Sequence, residues 1–158
     1  MSEINIYHFH YGHSVTNVAR MAEVAGERFD IGQRVPEVSG EAFDLLTWYA
    51  NWLALIEAEE GETLSEQPSM LKAEAADTFE ATIPWNQLAL AAVLFEKDGK
   101  PLGRNGPIRL YVPDGSSKCL NVKSIVTIRI GAEALSSVED EATYGFKQTF
   151  SKDELFKK

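Results

Sequence analysis

Hydrophobic and polar positions along this chain fall into several short alternating runs and one long apolar block. The run Ile4-Asn5-Ile6-Tyr7-His8-Phe9-His10-Tyr11 puts Ile4, Ile6, His8 and His10 on one face of a strand. Asn5, Tyr7, Phe9 and Tyr11 share the other face, and the aromatic and β-branched content favours a strand. Ser14 is placed to cap a helix through Val18, Met21 and Val24, with Gly26 as its stop. Val35 to Gly40 is turn-rich. Beyond it, Phe43, Leu45, Leu46, Trp48, Tyr49, Trp52, Leu53, Leu55 and Ile56 predict a helix apolar on so many sides that it belongs at the centre of the core. Residues 64–76 fit neither period, and Pro68 breaks any long helix there.

The second half reads mainly as strands. Thr78 to Ile83 alternates, Pro84 to Leu90 predicts a short helix opened by proline, and Ala91 to Glu96 predicts another strand. Lys97-Asp98-Gly99-Lys100 carries the Asp-Gly signature of a tight hairpin turn. Ile108 to Val112 and Val122 to Ile130 predict two further strands. From about Glu139 the chain is polar with scattered aromatics. The pattern therefore predicts one compact mixed α/β domain, α+β in character, over residues 1–138. It has a largely antiparallel or mixed sheet and packed helices. Residues 139–158 form a polar tail that wraps the surface or is partly mobile.

Composition narrows the function classes. A length of 158 residues suits a single domain with a substantial core. The formal net charge of −9 argues against nucleic acid and against an anionic membrane surface, since both need clustered Lys and Arg. No apolar run approaches the roughly 20 residues of a membrane-spanning helix. The start, Met1-Ser2-Glu3-Ile4, has no basic stretch leading into an apolar one, so no signal peptide is expected. Cys119 is the only cysteine, which rules out an intrachain disulfide. Together these features lead to the expectation of a cytoplasmic protein. The acidic stretch Glu57 to Glu62 reads as a solvated helix end.

Two constellations carry candidate chemistry. His8, His10 and His13 are the only histidines; two of them two apart on a strand point to one side and can chelate a metal, or they simply pack and face solvent. No motif supplies the further ligands, and no metal is expected. No nucleophile-elbow signature supports a Ser-His or Cys-His pairing. Asn105-Gly106-Pro107, Arg109 and Asp114-Gly115-Ser116-Ser117-Lys118 offer cations, hydroxyls and backbone amides around glycines. These are the parts of an anion cradle, or of an ordinary polar loop.

The order of several motifs resembles a known family. Asp98-Gly99-Lys100-Pro101-Leu102, Gly106-Pro107-Ile108-Arg109-Leu110-Tyr111-Val112-Pro113 and Val122-Lys123-Ser124-Ile125 are similar to the end of the molybdopterin-binding domain of sulfite-oxidase-like oxidoreductases. Upstream, Ser39-Gly40-Glu41-Ala42-Phe43-Asp44-Leu45-Leu46 resembles its helix entry and Thr82-Ile83-Pro84-Trp85-Asn86-Gln87-Leu88 a further segment. The matching pieces span roughly residues 36–130. The resemblance implies that family's fold. It also implies a pterin or phosphate site using Arg109 and Lys123, with Asn105 standing near the place of a family histidine. Arg supplies a planar fork and Lys a point charge for such an anion. Ser116 and Ser117 complete the candidate cofactor-binding set.

The family's metal-ligating cysteine lies upstream of the helix entry, and this chain has none there. Without that thiolate, molybdenum redox chemistry is not expected, although molybdopterin itself fits the resemblance. The expected function is binding of a small anionic or pterin-like ligand without molybdenum chemistry. The alternatives are a molybdopterin-dependent oxidoreductase with an unusual ligand set, and a regulatory or protein-interaction module that retains the fold.

Overall fold

Among the described residues, eleven strands, two α-helices and several short turns are arranged as two sheets around one main core. The chain is described by a computed structural model over residues 2–116, 118–132 and 143–146. The strands are β1 (Glu3–His8), β2 (Gly12–Asn17), β3 (Phe29–Asp30), β4 (Glu41–Asp44), β5 (Met70–Ala75) and β6 (Phe79–Pro84). They continue as β7 (Ala92–Lys97), β8 (Lys100–Pro101), β9 (Arg109–Tyr111), β10 (Ile125–Gly131) and β11 (Thr143–Phe146). Helix α1 (Val18–Ala25) follows β2, and helix α2 (Leu45–Glu60) follows β4.

The larger sheet has the order β11-β6-β5-β10-β1-β2, and every pairing in it is antiparallel except β1 with β10. The smaller sheet runs β3-β4-β7-β8, with β9 also on β7. The expected mixed α+β class and mostly antiparallel pairing hold, but the strands divide between two sheets.

Alternation along each strand sorts residues between the layers. Ile4, Ile6, Leu71, Ala73, Ala81, Ile83, Ile128 and Ile130 of the larger sheet meet Phe43, Val93, Phe95 and Leu110 of the smaller one. Met21 and Ala25 of α1 and Leu45, Trp48 and Tyr49 of α2 join the same cluster. A second, smaller cluster lies on the opposite face of the smaller sheet, where Ala42, Ala92, Leu94 and Tyr111 pack with Ile31. Gly40 lets these layers close. Its φ is 135°, and a Cβ there would stand 2.7 Å from the Glu96 carbonyl oxygen.

Several boundaries differ from the sequence expectation. Ser14 does not cap a helix: it lies in β2, and Asn17 caps α1 by accepting from the Arg20 N–H at 2.9 Å. Gly26 ends that helix as expected, donating to the Ala22 carbonyl at 3.0 Å. Phe43 belongs to β4, because Asp44 starts α2 by accepting from the Thr47 N–H at 2.9 Å. Helix α2 is not enclosed on all sides: Leu45, Trp48 and Tyr49 are buried, whereas Leu55 is 49% exposed. The unassigned stretch 64–76 supplies β5, a strand with neighbours on both edges. Val122 and Lys123 precede β10 and are not part of it. Thr143–Phe146, within the expected tail, pairs with β6; residues 139–142 and 147–158 lie outside the described residues.

Candidate functional site

Three of the candidate anion-binding residues are brought to one corner by backbone pairing. Ile125 N–H donates to the Ile108 carbonyl at 3.1 Å and Leu110 N–H to the Val122 carbonyl at 2.8 Å, so the 122–125 segment runs beside the strand that carries Arg109. Ser124 N–H donates to the Asn105 carbonyl at 2.9 Å, and its hydroxyl donates to the Arg104 carbonyl at 3.1 Å. A φ of 57° at Ser124 makes the turn that presents Lys123 to solvent. Asn105, Arg109 and Lys123 thus occupy adjacent segments. Among the described residues, no side-chain hydrogen bond joins them to one another.

Arg109 is the half-buried member. Alternation in β9 turns it away from Leu110 and the main core, toward the side of Tyr111, with its guanidinium 5.0 Å from the Tyr111 ring centroid. Its Nε is enclosed and has no hydrogen-bond partner among the described residues. A buried guanidinium N–H left unpaired is costly, and an anionic oxygen would satisfy it. Ser116 is not part of this corner. It is exposed beyond the far end of β9, where its N–H donates to Gln87 Oε1 at 3.3 Å. Ser117 lies outside the described residues.

Charge concentrates in the same part of the chain. Residues 97–123 hold six Lys and Arg against two Asp, in a chain that is otherwise strongly acidic. The ion pairs among the described residues involve Arg20, Arg28, Arg34, Lys72, Arg129 and His10. Arg104, Arg109 and Lys123 therefore carry charge with no carboxylate in ion-pair contact among the described residues.

A cleft of about 1010 Å³ opens between α1 and the β8 region. Val18, Ala22, Phe95, Leu102 and Pro107 give it apolar walls, and Arg28 lies over the Phe95 ring at 4.8 Å. Gly103, Gly106 and Pro107 line it, so the candidate loop forms one wall. Arg109 itself is not in that lining. It pairs with Leu94 in the neighbouring strand, and so sits on the opposite face of the sheet from Phe95.

The histidines separate rather than gather. β1 ends at His8, so His8 and His10 do not share a strand face. His8 is 4% exposed; its Nδ1 accepts from the His10 N–H at 3.0 Å and the Tyr11 N–H at 3.3 Å. That fixes the proton on Nε2, which donates to the Tyr49 hydroxyl at 2.8 Å. Burial, reinforced by His10, lowers the His8 pKa to about 4. Burial also raises Tyr49 to about 12, with Glu57 adding to the effect. The neighbouring Tyr11 hydroxyl is enclosed, and burial and then Glu62 raise its pKa. Phe9, Tyr11, Tyr49 and Trp52 pack around the His8 ring. His10 contacts Glu62 at 3.3 Å, while His13 stacks on Tyr7 and bonds to Asn5. Among the described residues, no group of three or more His, Cys, Asp and Glu is arranged to hold a metal.

Two features escaped the sequence reading. The His8–Tyr49 pair joins a strand to a helix 41 positions away, and no local spacing marks such a contact. The basic stretch was visible in principle, since counting charge by segment rather than over the chain exposes it. No described helix is long and apolar enough to cross a membrane. In comparisons with known proteins, the chain matches no family model and no curated protein.

Proposed function

We propose that this domain binds a small anionic or pterin-like ligand at the corner formed by Asn105, Arg109 and Lys123, and that it is a divergent relative of the molybdopterin-binding domains without their molybdenum redox chemistry. The enclosed Nε of Arg109, unpaired among the described residues, carries the reading. It is a cationic donor with no acceptor among the described residues, in a locally basic stretch of an acidic protein, and its strand is paired through the backbone with the segment that carries Lys123. Arg109 supplies directed hydrogen bonds, and Lys123 and Arg104 supply charge. Asn105 adds an amide from the adjoining turn. Ser116, at the other end of β9, reaches such a ligand only if the ligand is long enough to follow the strand. These residues fit the anionic part of a pterin phosphate. The chain provides no thiolate upstream of α2 to hold a metal, since Cys119 is its only cysteine.

Calorimetric titration with inorganic phosphate and with a pterin phosphate tests the reading. Charge-assisted hydrogen bonds contribute roughly 1.5–3 kcal/mol each, so Arg109→Ala should weaken binding by about tenfold or more. Lys123→Ala should weaken it less, and Cys119→Ser should leave it unchanged. Loss on Arg28→Ala, with Arg109→Ala without effect, would move the ligand to the cleft. Absence of binding in the wild-type protein removes the proposal.

A further inference from the structure

Among the described residues, the larger sheet ends in a strand with no partner on its outer edge. Strand β2 pairs with β1 and with no other described strand, and its register runs unbroken from Gly12 opposite His8 to Asn17 opposite Glu3. Residues Gly12 to Val15 are all exposed, so none of the described residues covers them. An edge strand presents a row of peptide N–H and C=O groups that will pair with another strand. Proteins usually blunt such edges with charge, proline, a bulge or shortness. Here Gly-His-Ser-Val-Thr-Asn carries no acidic or basic Lys/Arg side chain, no proline and no bulge. The other short edges differ: β3 and β8 have two residues each, and β8 contains Pro101.

We propose that β2 is a self-association edge, pairing antiparallel with β2 of a second copy of this chain across a two-fold axis at Val15. The strand is its own complement in that register. Side chains on one face stay on one face across such an axis, so Val15 meets Val15 of the second copy, Ser14 meets Thr16 and His13 meets Asn17. Each is a compatible cross-strand pair: apolar on apolar, hydroxyl on hydroxyl, ring on amide. No carboxylate is brought opposite another, which matters for two molecules that each carry a net charge of −9. Val15, at 49% exposure, is the large apolar side chain that the pairing would cover. A single added strand buries little area, so the dimer is weak and concentration-dependent.

Sedimentation of the full chain over about a hundredfold range of concentration reads the association directly. The wild-type protein should shift from monomer toward dimer. Val15→Lys should weaken association by about tenfold or more, because it places two ammonium groups opposite each other. Val15→Thr should retain it, and both variants should keep the wild-type circular dichroism and melting temperature. Register is tested in a Cys119→Ser background, where Val15→Cys should form an intermolecular disulfide under mild oxidation much faster than Ser14→Cys. A wild-type protein that stays monomeric throughout overturns the proposal, even if the strand takes up an added peptide. So does a Val15→Lys variant that dimerises as the wild type does, or a Ser14→Cys variant that crosslinks equally fast.

Discussion

His8 has a neutral ring whose two nitrogens are both committed, one accepting two backbone N–H groups and the other donating to Tyr49. Protonation would put a proton where the chain has already placed two. Its folded pKa of about 4 lies below the ordinary histidine value of 6.5, so between these values the unfolded chain binds more protons. The stability from this site is therefore complete above about pH 6.5, falls as pH drops from there to about 4, and changes no further below that. The loss is on the order of 3 kcal/mol. Urea unfolding at intervals through that window should show the decline, and His8→Gln, though less stable at neutral pH, should show a shallower one. An equally steep profile in His8→Gln would assign the effect to other groups. None of this was legible beforehand. The sequence marks three histidines close together, but not that the strand stops at the first of them.

At the scale of elements, α2 shows why patterning was read correctly in kind and wrongly in detail. The apolar block does make a helix against the core, yet its burial is one-sided. Trp48 is 1% exposed, while Trp52 one turn later is only partly buried. Trp48→Ala should cost about 3–5 kcal/mol, whereas Trp52→Ala, less enclosed, should cost less. Chemical denaturation of the two variants checks the order, and an equal or greater loss at Trp52 would contradict the packing described. The helix start was misplaced because Phe43 shares the block's hydrophobicity, while the deciding signal is Asp44, a side chain that caps. Strand β5 went unread for a related reason. Leu71, Ala73 and Ala75 alternate with Lys72 and Glu74 as a strand requires, but Ala, Lys and Glu are helix formers, so propensity and period disagreed. Lys72 and Glu74 make sense only once Arg129 and Glu80 stand beside them, with Arg129 Nε 2.6 Å from Glu74.

For the molecule as a whole, the separation of charge has a measurable consequence. An anion that binds the folded protein at the Arg109 corner stabilises it by mass action, by about 2.7 kcal/mol when its concentration is a hundred times its Kd. Phosphate should therefore raise the melting temperature above that in chloride at equal ionic strength. A protein with Arg104, Arg109 and Lys123 all replaced by Gln should lose the difference. An identical rise in both proteins would mean that phosphate acts as a general salting-out ion. The α+β class was legible because alternating runs, a hairpin turn and one long apolar block all leave periodic traces. The division into two sheets was not, because it depends on which strands pair, and pairing across the chain leaves no periodic trace.

One such pairing governs how the molecule can be made. Ile6 in β1 pairs with Ile128 in β10, inside the larger sheet. During synthesis the β1–β2 hairpin emerges well before β10, so the β10-facing edge of β1 stays open until that strand has been made. The pairing closes a loop that contains both helices and the entire smaller sheet, so it carries the closure entropy of a long-range contact. Fragments ending before β10 have no partner for β1, and in them the hairpin offers two free edges instead of one. The larger sheet is consequently complete only when β1 has met a strand made long after it.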